Sequence, residues 1–210
     1  MNNHLQIETL LLGPLNTNCY ILSDGETRSA VVIDPADDGQ LIYNHLTKNN
    51  LILVKILLTH GHYDHIGGIV SLKSLSNAPI FIHSLDAEML TNPEKNFSVF
   101  IGTPYKSPEP DGFLNDGELI TVGKKQVRVF HTPGHSQGSV SFACDGFVIV
   151  GDTLFNGSVG RTDFPGSSFD ILIQSIQSKL LTLPDDTIAY PGHGPETTIG
   201  KERKGNPFFV

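Results

Sequence analysis

Between residues 57 and 65 the chain reads Leu57-Leu58-Thr59-His60-Gly61-His62-Tyr63-Asp64-His65. Three imidazoles and one carboxylate fall within this short stretch, directly after an apolar, β-branched run. A strand that runs into Thr59 leaves these side chains on a tight loop, off the end of a sheet. Imidazole and carboxylate suit zinc, iron or manganese at neutral pH. The cluster has room for two ions, one on His60 and His62 and the other on Asp64 and His65. So few residues cannot fill two coordination shells, so further ligands are expected elsewhere.

Three later segments have the same form. Val127-Arg128-Val129-Phe130 leads to His131-Thr132-Pro133-Gly134-His135, Phe147-Val148-Ile149-Val150 to Gly151-Asp152-Thr153, and Thr187-Ile188-Ala189-Tyr190 to Pro191-Gly192-His193-Gly194. Each is an apolar strand ending beside glycine, which permits the backbone angles and close approaches such loops need. Taken singly, His135, Asp152 and His193 read as turn residues. Beside the first cluster they read together as ligands. His131 is expected outside the ligand set, because a strand and a Thr-Pro-Gly turn separate its aim from that of His135. His83 reads as a turn residue, and His4 and His45 as exposed. Asp34, at a strand end, reads either as a turn residue or as an outer partner of a ligating histidine.

The remaining sequence bounds these readings. A chain of 210 residues fits one α/β domain spanning 1–210. No apolar run reaches membrane-spanning length, and no basic-then-apolar leader opens the chain, which points to the cytoplasm. Cys19 and Cys144 lie in apolar, strand-like contexts and read as buried, reduced thiols. The net charge is −8, with no cluster of Lys or Arg. A polyanion would meet repulsion without a basic footprint, which argues against RNA or DNA as partner. Strands are expected at 5–12, 19–22, 30–33, 53–58, 119–122, 127–130, 139–144 and 147–150, with turn chemistry at Asn18 and Asp24-Gly25. Helices are expected over 37–50 and 168–181, and after His65 and Leu85. The proline- and aromatic-rich stretch 91–116 reads equally as a lid over a site and as a surface loop pinned by its rings.

These motifs, with Gly160-Arg161-Thr162-Asp163-Phe164, resemble the metallo-β-lactamase superfamily, and within it the glyoxalase II-like (hydroxyacylglutathione hydrolase-like) group. The likeness covers nearly the whole chain. It implies a four-layer αββα sandwich, where periodicity alone gives only α/β. It implies two divalent metal ions, zinc foremost with iron or manganese as alternatives. The first would sit on His60, His62 and His135, and the second on Asp64, His65 and His193, with Asp152 bridging them.

Such a pair of ions lowers the pKa of bound water to roughly 7 and polarises a carbonyl. No activated serine motif is present, so hydrolysis of an acyl bond by metal-bound hydroxide is the expected chemistry, with Asp64 orienting the nucleophile. A small-molecule thioester suits this machinery, because a thiolate leaves with little acid help. The short segment after His193 resembles the shorter bacterial type of these enzymes. Where the longer type carries a Gly-Lys-Phe-Tyr-like segment, this chain has Gly-Arg-Thr-Asp-Phe, so Arg161 is the candidate for a substrate carboxylate. The principal rival is a persulfide dioxygenase, with a single iron on His62, His135 and Asp152. A lactonase or an exported β-lactamase ranks below both. The sequence leaves the oligomeric state open.

Overall fold

The computed structural model describes residues 4–209. Two six-stranded sheets lie face to face, and their central strands are buried on both faces, as the apolar runs within Ser29–Ile33 and Phe147–Gly151 require. The first sheet has the order β1-β2-β3-β4-β5-β6 and is built from Gln6–Leu12, Thr17–Ser23, Ser29–Ile33, Ile52–Leu57, Ile80–His83 and Gly112–Leu114. The second joins β7 (Leu119–Val122), β8 (Lys125–His131), β9 (Val140–Cys144), β10 (Phe147–Gly151), β13 (Ile188–Pro191) and β14 (Thr197–Thr198), in the order β14-β13-β10-β9-β8-β7. A small ribbon of β11 (Leu154–Phe155) and β12 (Ser158–Val159) follows β10.

Successive strand side chains point to opposite faces. In β3, Val31 and Ile33 turn inward to meet Val129, Phe142 and Ile149 of the second sheet. Ala30 and Val32 turn outward and pack with Ile42 and Leu46 of helix α1 (Gly39–Lys48). Ile69 and Leu72 of α3 (Ile69–Ser76) join that outer layer, as does Ile66 of the short α2 (Tyr63–Ile66). On the far side, Val148, Val150 and Ala189 meet Leu172 of α4 (Phe169–Ser175), its continuation through Ile176 and Leu180, and Ile199 of α5 (Ile199–Gly205). Helix, sheet, sheet, helix is the four-layer sandwich that the resemblance implies.

Several expectations need adjustment. The helix read over 37–50 is Gly39–Lys48, started by Asp38, whose carboxylate accepts from the Leu41 amide at 3.0 Å. The segment after Leu85 is a 3-10 turn, Ser84–Leu90. The 168–181 helix widens after Ser175, so that Leu181 N–H reaches back five residues to the Ile176 carbonyl at 2.8 Å. Helix α5 and strand β14 are absent from the sequence reading, and β6 lies inside the stretch read as irregular. Cys19 is buried, but Cys144 is only half-buried. His4 is exposed, whereas His45 is half-buried against Glu8, 2.9 Å away. Among the described residues, no helix is long and apolar enough to cross a membrane.

Candidate metal centre

β4 ends at Leu57, β8 at His131, β10 at Gly151 and β13 at Pro191. The loops that follow bring the candidate ligands to one rim of the sandwich. His60, His62 and His135 form one trio, with all three ligand atoms within 4.8 Å of one another. Asp64, His65 and His193 form a second trio on the same criterion. Asp152 stands between them. Its Oδ2 is 3.7 Å from His135 Nε2 and 3.6 Å from His193 Nε2, and its Oδ1 is 3.4 Å from His65 Nε2. The structure thus brings the seven candidate residues together at one rim.

Outer contacts fix the rings. Asp34 Oδ2 lies 2.9 Å from His65 Nδ1, while Thr59 donates its amide to Oδ1 at 2.7 Å and its hydroxyl to Oδ2 at 2.6 Å. Asp34, His60 and His65 also converge. With both Asp34 oxygens engaged, that carboxylate orients His65 rather than competing as a ligand, which settles its two readings. His135 Nδ1 lies 2.8 Å from the Arg161 carbonyl, which presents Nε2 to the trio. His131 is turned away, with its Nε2 3.0 Å from the Gln137 carbonyl and its ring stacked on His83 at 4.1 Å.

Two tethers had no sequence signal. Asn18, read as a turn residue, lies in β2 and donates its side-chain amide to the Pro191 and Gly194 carbonyls, 2.9 Å each. Tyr20 O–H adds a 2.5 Å bond to Pro191. Together they pin the His193 loop to the other sheet. The fully buried Asp86 accepts from Ser136 Oγ at 2.6 Å and from the Gly138 amide at 2.7 Å, fastening the His135 loop. Gly192 is required here, because a Cβ would collide with Asp152 Oδ1 and crowd His65.

The electrostatics of the trios differ. Burial, reinforced by the neighbouring histidines, pushes the His60 imidazole well below its ordinary range and lowers His62 to about 3. Burial also depresses His65, but the carboxylates of Asp152, Asp64 and Asp34 outweigh it and carry the group well above the ordinary value. His193 is raised too: burial opposes, and the bond it donates to the Asp64 carboxylate, with the charge of Asp152, prevails. Burial works against ionised Asp64 and Asp152, yet the surrounding histidines hold both below the carboxylate range.

The donor set fits divalent metal. Buried polar atoms are almost always paired. Here His60 Nε2, His65 Nε2 and Asp152 Oδ1 are buried without a hydrogen-bond partner, and all belong to the cluster. His135 Nε2 and His62 Nδ1 approach to 3.0 Å, which suits lone pairs converging on a shared cation. A cavity of about 620 Å³ opens over the cluster, lined by His62, Asp64, His135, Asp152 and His193 on one side of its chemistry and by Phe97, Phe155 and Phe164 on the other.

A two-sheet sandwich that gathers imidazoles and carboxylates at one rim defines a metal-binding architecture. The chain belongs to the metallo-beta-lactamase superfamily, whose family model matches residues 12–193. It is 34% identical over 218 residues to the hydroxyacylglutathione hydrolase GloC of Haemophilus influenzae, covering 98% of each chain. Among solved structures it resembles the BLEG-1 B3 metallo-beta-lactamase (TM-score 0.93, 37% identity, 98% of this chain and 100% of that one). It also resembles TTHA1623, solved in a di-iron-bound form (TM-score 0.85, 37% identity, 96% of this chain and 99% of that one).

Arg161 lines the cavity, but its guanidinium fork is already paired with Asp163, at 3.0 Å from Nε and 2.8 Å from Nη2. The carbonyl of Arg161, rather than its charge, is what touches the cluster.

Proposed function

We propose that the protein is a thioester hydrolase using two divalent ions, held by His60, His62 and His135 and by Asp64, His65 and His193, with Asp152 shared. The observation that carries this reading is the pair of trios joined by one carboxylate, with unpartnered buried donor atoms aimed into the gap. Zinc is the foremost candidate, with iron or manganese as alternatives, since imidazole and carboxylate accept all three. When bound, two such ions supply a deprotonated water near neutral pH and a Lewis acid for the carbonyl.

The chain's own groups do the rest. Asp64 lines the cavity as an ionised carboxylate, its Oδ2 3.1 Å from His193 Nε2, and would help hold an ion while orienting an attacking water by accepting its hydrogen bond. Phe97 and Phe164 exclude bulk water beside His62, with ring centroids 5.0 and 5.4 Å from the imidazole. The leaving thiol, with a pKa of about 8.5, departs as thiolate without a protein acid. Similarity to GloC makes an S-2-hydroxyacylglutathione the first substrate to test.

Thiol release from S-lactoylglutathione, abolished by a chelator and restored by zinc or manganese, together with about two ions per chain by elemental analysis, is the expected result. Oxygen uptake with glutathione persulfide on a single iron, or opening of a cephalosporin without turnover of any thioester, overturns it.

A further inference from the structure

The cavity over the cluster carries more apolar wall than hydrolysis requires. Leu15, from the turn joining β1 and β2, meets Phe97, Phe100 and Ile101 of the 91–116 stretch on one cavity, with Phe155 and Phe164 alongside. Phe100 is 80% exposed, Ile101 50% and Leu15 49%. Single exposed apolar side chains need no explanation, but a set converging on one opening marks a contact surface. Phe97 has φ 67°, a conformation bulky residues rarely adopt. Its ring is stacked on Phe164 at 4.8 Å and lies 5.0 Å from His62, so the unfavourable backbone sets an aromatic plane beside the reacting centre.

Charge accounting points the same way. Arg161 is the sole Lys or Arg among the described lining residues. The Nε and Nη2 edge of its guanidinium is occupied by Asp163, and the group lies over Phe164, 4.5 Å from the ring centroid, extending the aromatic wall. An anionic carrier would have to share that guanidinium with Asp163.

We infer that the site selects thioesters by an uncharged apolar arm larger than lactoyl, on either the acyl or the sulfur side, seated against Phe97, Phe100 and Phe164. This rests on the thioesterase reading and adds the class of substrate.

The test uses metal-loaded protein and two series of neutral thioesters. One lengthens the acyl group from acetyl to octanoyl on N-acetylcysteamine. The other keeps acetyl and lengthens an alkanethiol. In one series kcat/KM should climb by up to about fourfold per methylene, the limit set by full burial, and that series identifies the arm. Glutathione in place of N-acetylcysteamine should give no gain. Phe100→Ser should flatten the slope, and its exposure means folding is not at stake; Phe97→Ala should flatten it further. A flat profile in both series, or turnover that needs glutathione and is lost in Arg161→Ala, overturns the inference while leaving the thioesterase reading standing. If no thioester is cleaved, that reading falls, and calorimetry with the neutral thioether S-octyl-N-acetylcysteamine decides the apolar seat. Binding weakened by Phe97→Ala and Phe100→Ser upholds it, and absence of binding removes it.

Discussion

The two trios at the rim differ in charge, in exposure and in what holds them. His60, His62 and His135 are all imidazole and all buried, and burial keeps His60 and His62 unprotonated without any metal. Asp64, His65 and His193 include a carboxylate, and His193 is partly open to the cavity. There the carboxylates favour imidazolium, so a proton competes with a cation for the same ring nitrogens. The first trio is prepared for metal by desolvation. The second is prepared by negative charge and must release protons as it loads. Similar ligands at one sheet edge thus reach readiness by opposite routes, and each route leaves its own experimental mark.

The largest effect should come from the carboxylate common to both. Asp152→Ala should release both ions and lower kcat/KM by on the order of a thousandfold or more, since metal-based charge stabilisation is worth several kcal/mol. Retention of both ions by elemental analysis would show that the trios are independent. His193→Ala should empty only the second trio, leaving about one ion per chain. Loss of both would mean that the first trio cannot stand alone.

Asp34→Ala removes the partner of His65 Nδ1 and should weaken metal at the second trio by roughly 10- to 100-fold, read by competition with a chromogenic chelator. Asp86→Ala strands the Ser136 hydroxyl and the Gly138 amide beside the first trio. It should destabilise the fold by about 1–3 kcal/mol in urea unfolding. A pattern in which Asp34→Ala affects only the first trio would break the proposed division.

A smaller effect separates the two routes by pH. In metal-free protein, His62 sits at about 3 against an ordinary 6.5, so the unfolded chain binds the extra proton between those values. Its contribution therefore falls as pH drops through that window. His193 is raised, so its contribution is full below its unfolded value and fades as pH rises through the folded one. Metal-free His193→Gln should thus be less stable than its parent near pH 5, and the gap should close as the medium becomes alkaline. A gap that does not change with pH would deny the proton on His193.

The ligand side of this centre was legible because metal chemistry compresses it. His60 to His65 form one run, and His135, Asp152 and His193 each follow an apolar strand beside glycine, so spacing alone brought them under suspicion. The sandwich was legible only through the resemblance: β8 alternates, but β3 is a continuous apolar run buried on both faces, which by itself says only that something covers each side. The supports were not legible. Asn18, Tyr20 and Asp86 act through partners 50 or more positions away, and a lone polar residue in an apolar strand carries no mark of the loop it will tether. The aromatic wall was equally hidden. Phe97 and Phe164 lie far apart in the chain, and only the fold stacks them. Helix α5 was missed because Lys201 to Lys204 is charged, with Ile199, Gly200 and the hydrogen-bonded Glu202 as its buried residues.

The Asn18 tether has a consequence for how the molecule lives and breaks. Its two bonds join positions 173 and 176 residues apart, so they close a loop over most of the chain. Such a contact repays its ordering entropy only after everything between has folded. The amide protons of Gly192 and Asn18, bonded to Gly151 and Gly192 at 2.8 Å each, should therefore exchange with solvent on the same timescale as the whole sandwich opens. Ions bound at His193 would add to the same closure, since the tether and the ligand share one loop. If the proposed ions bind there, removing them would loosen a fastener of the architecture as well as take away a reagent.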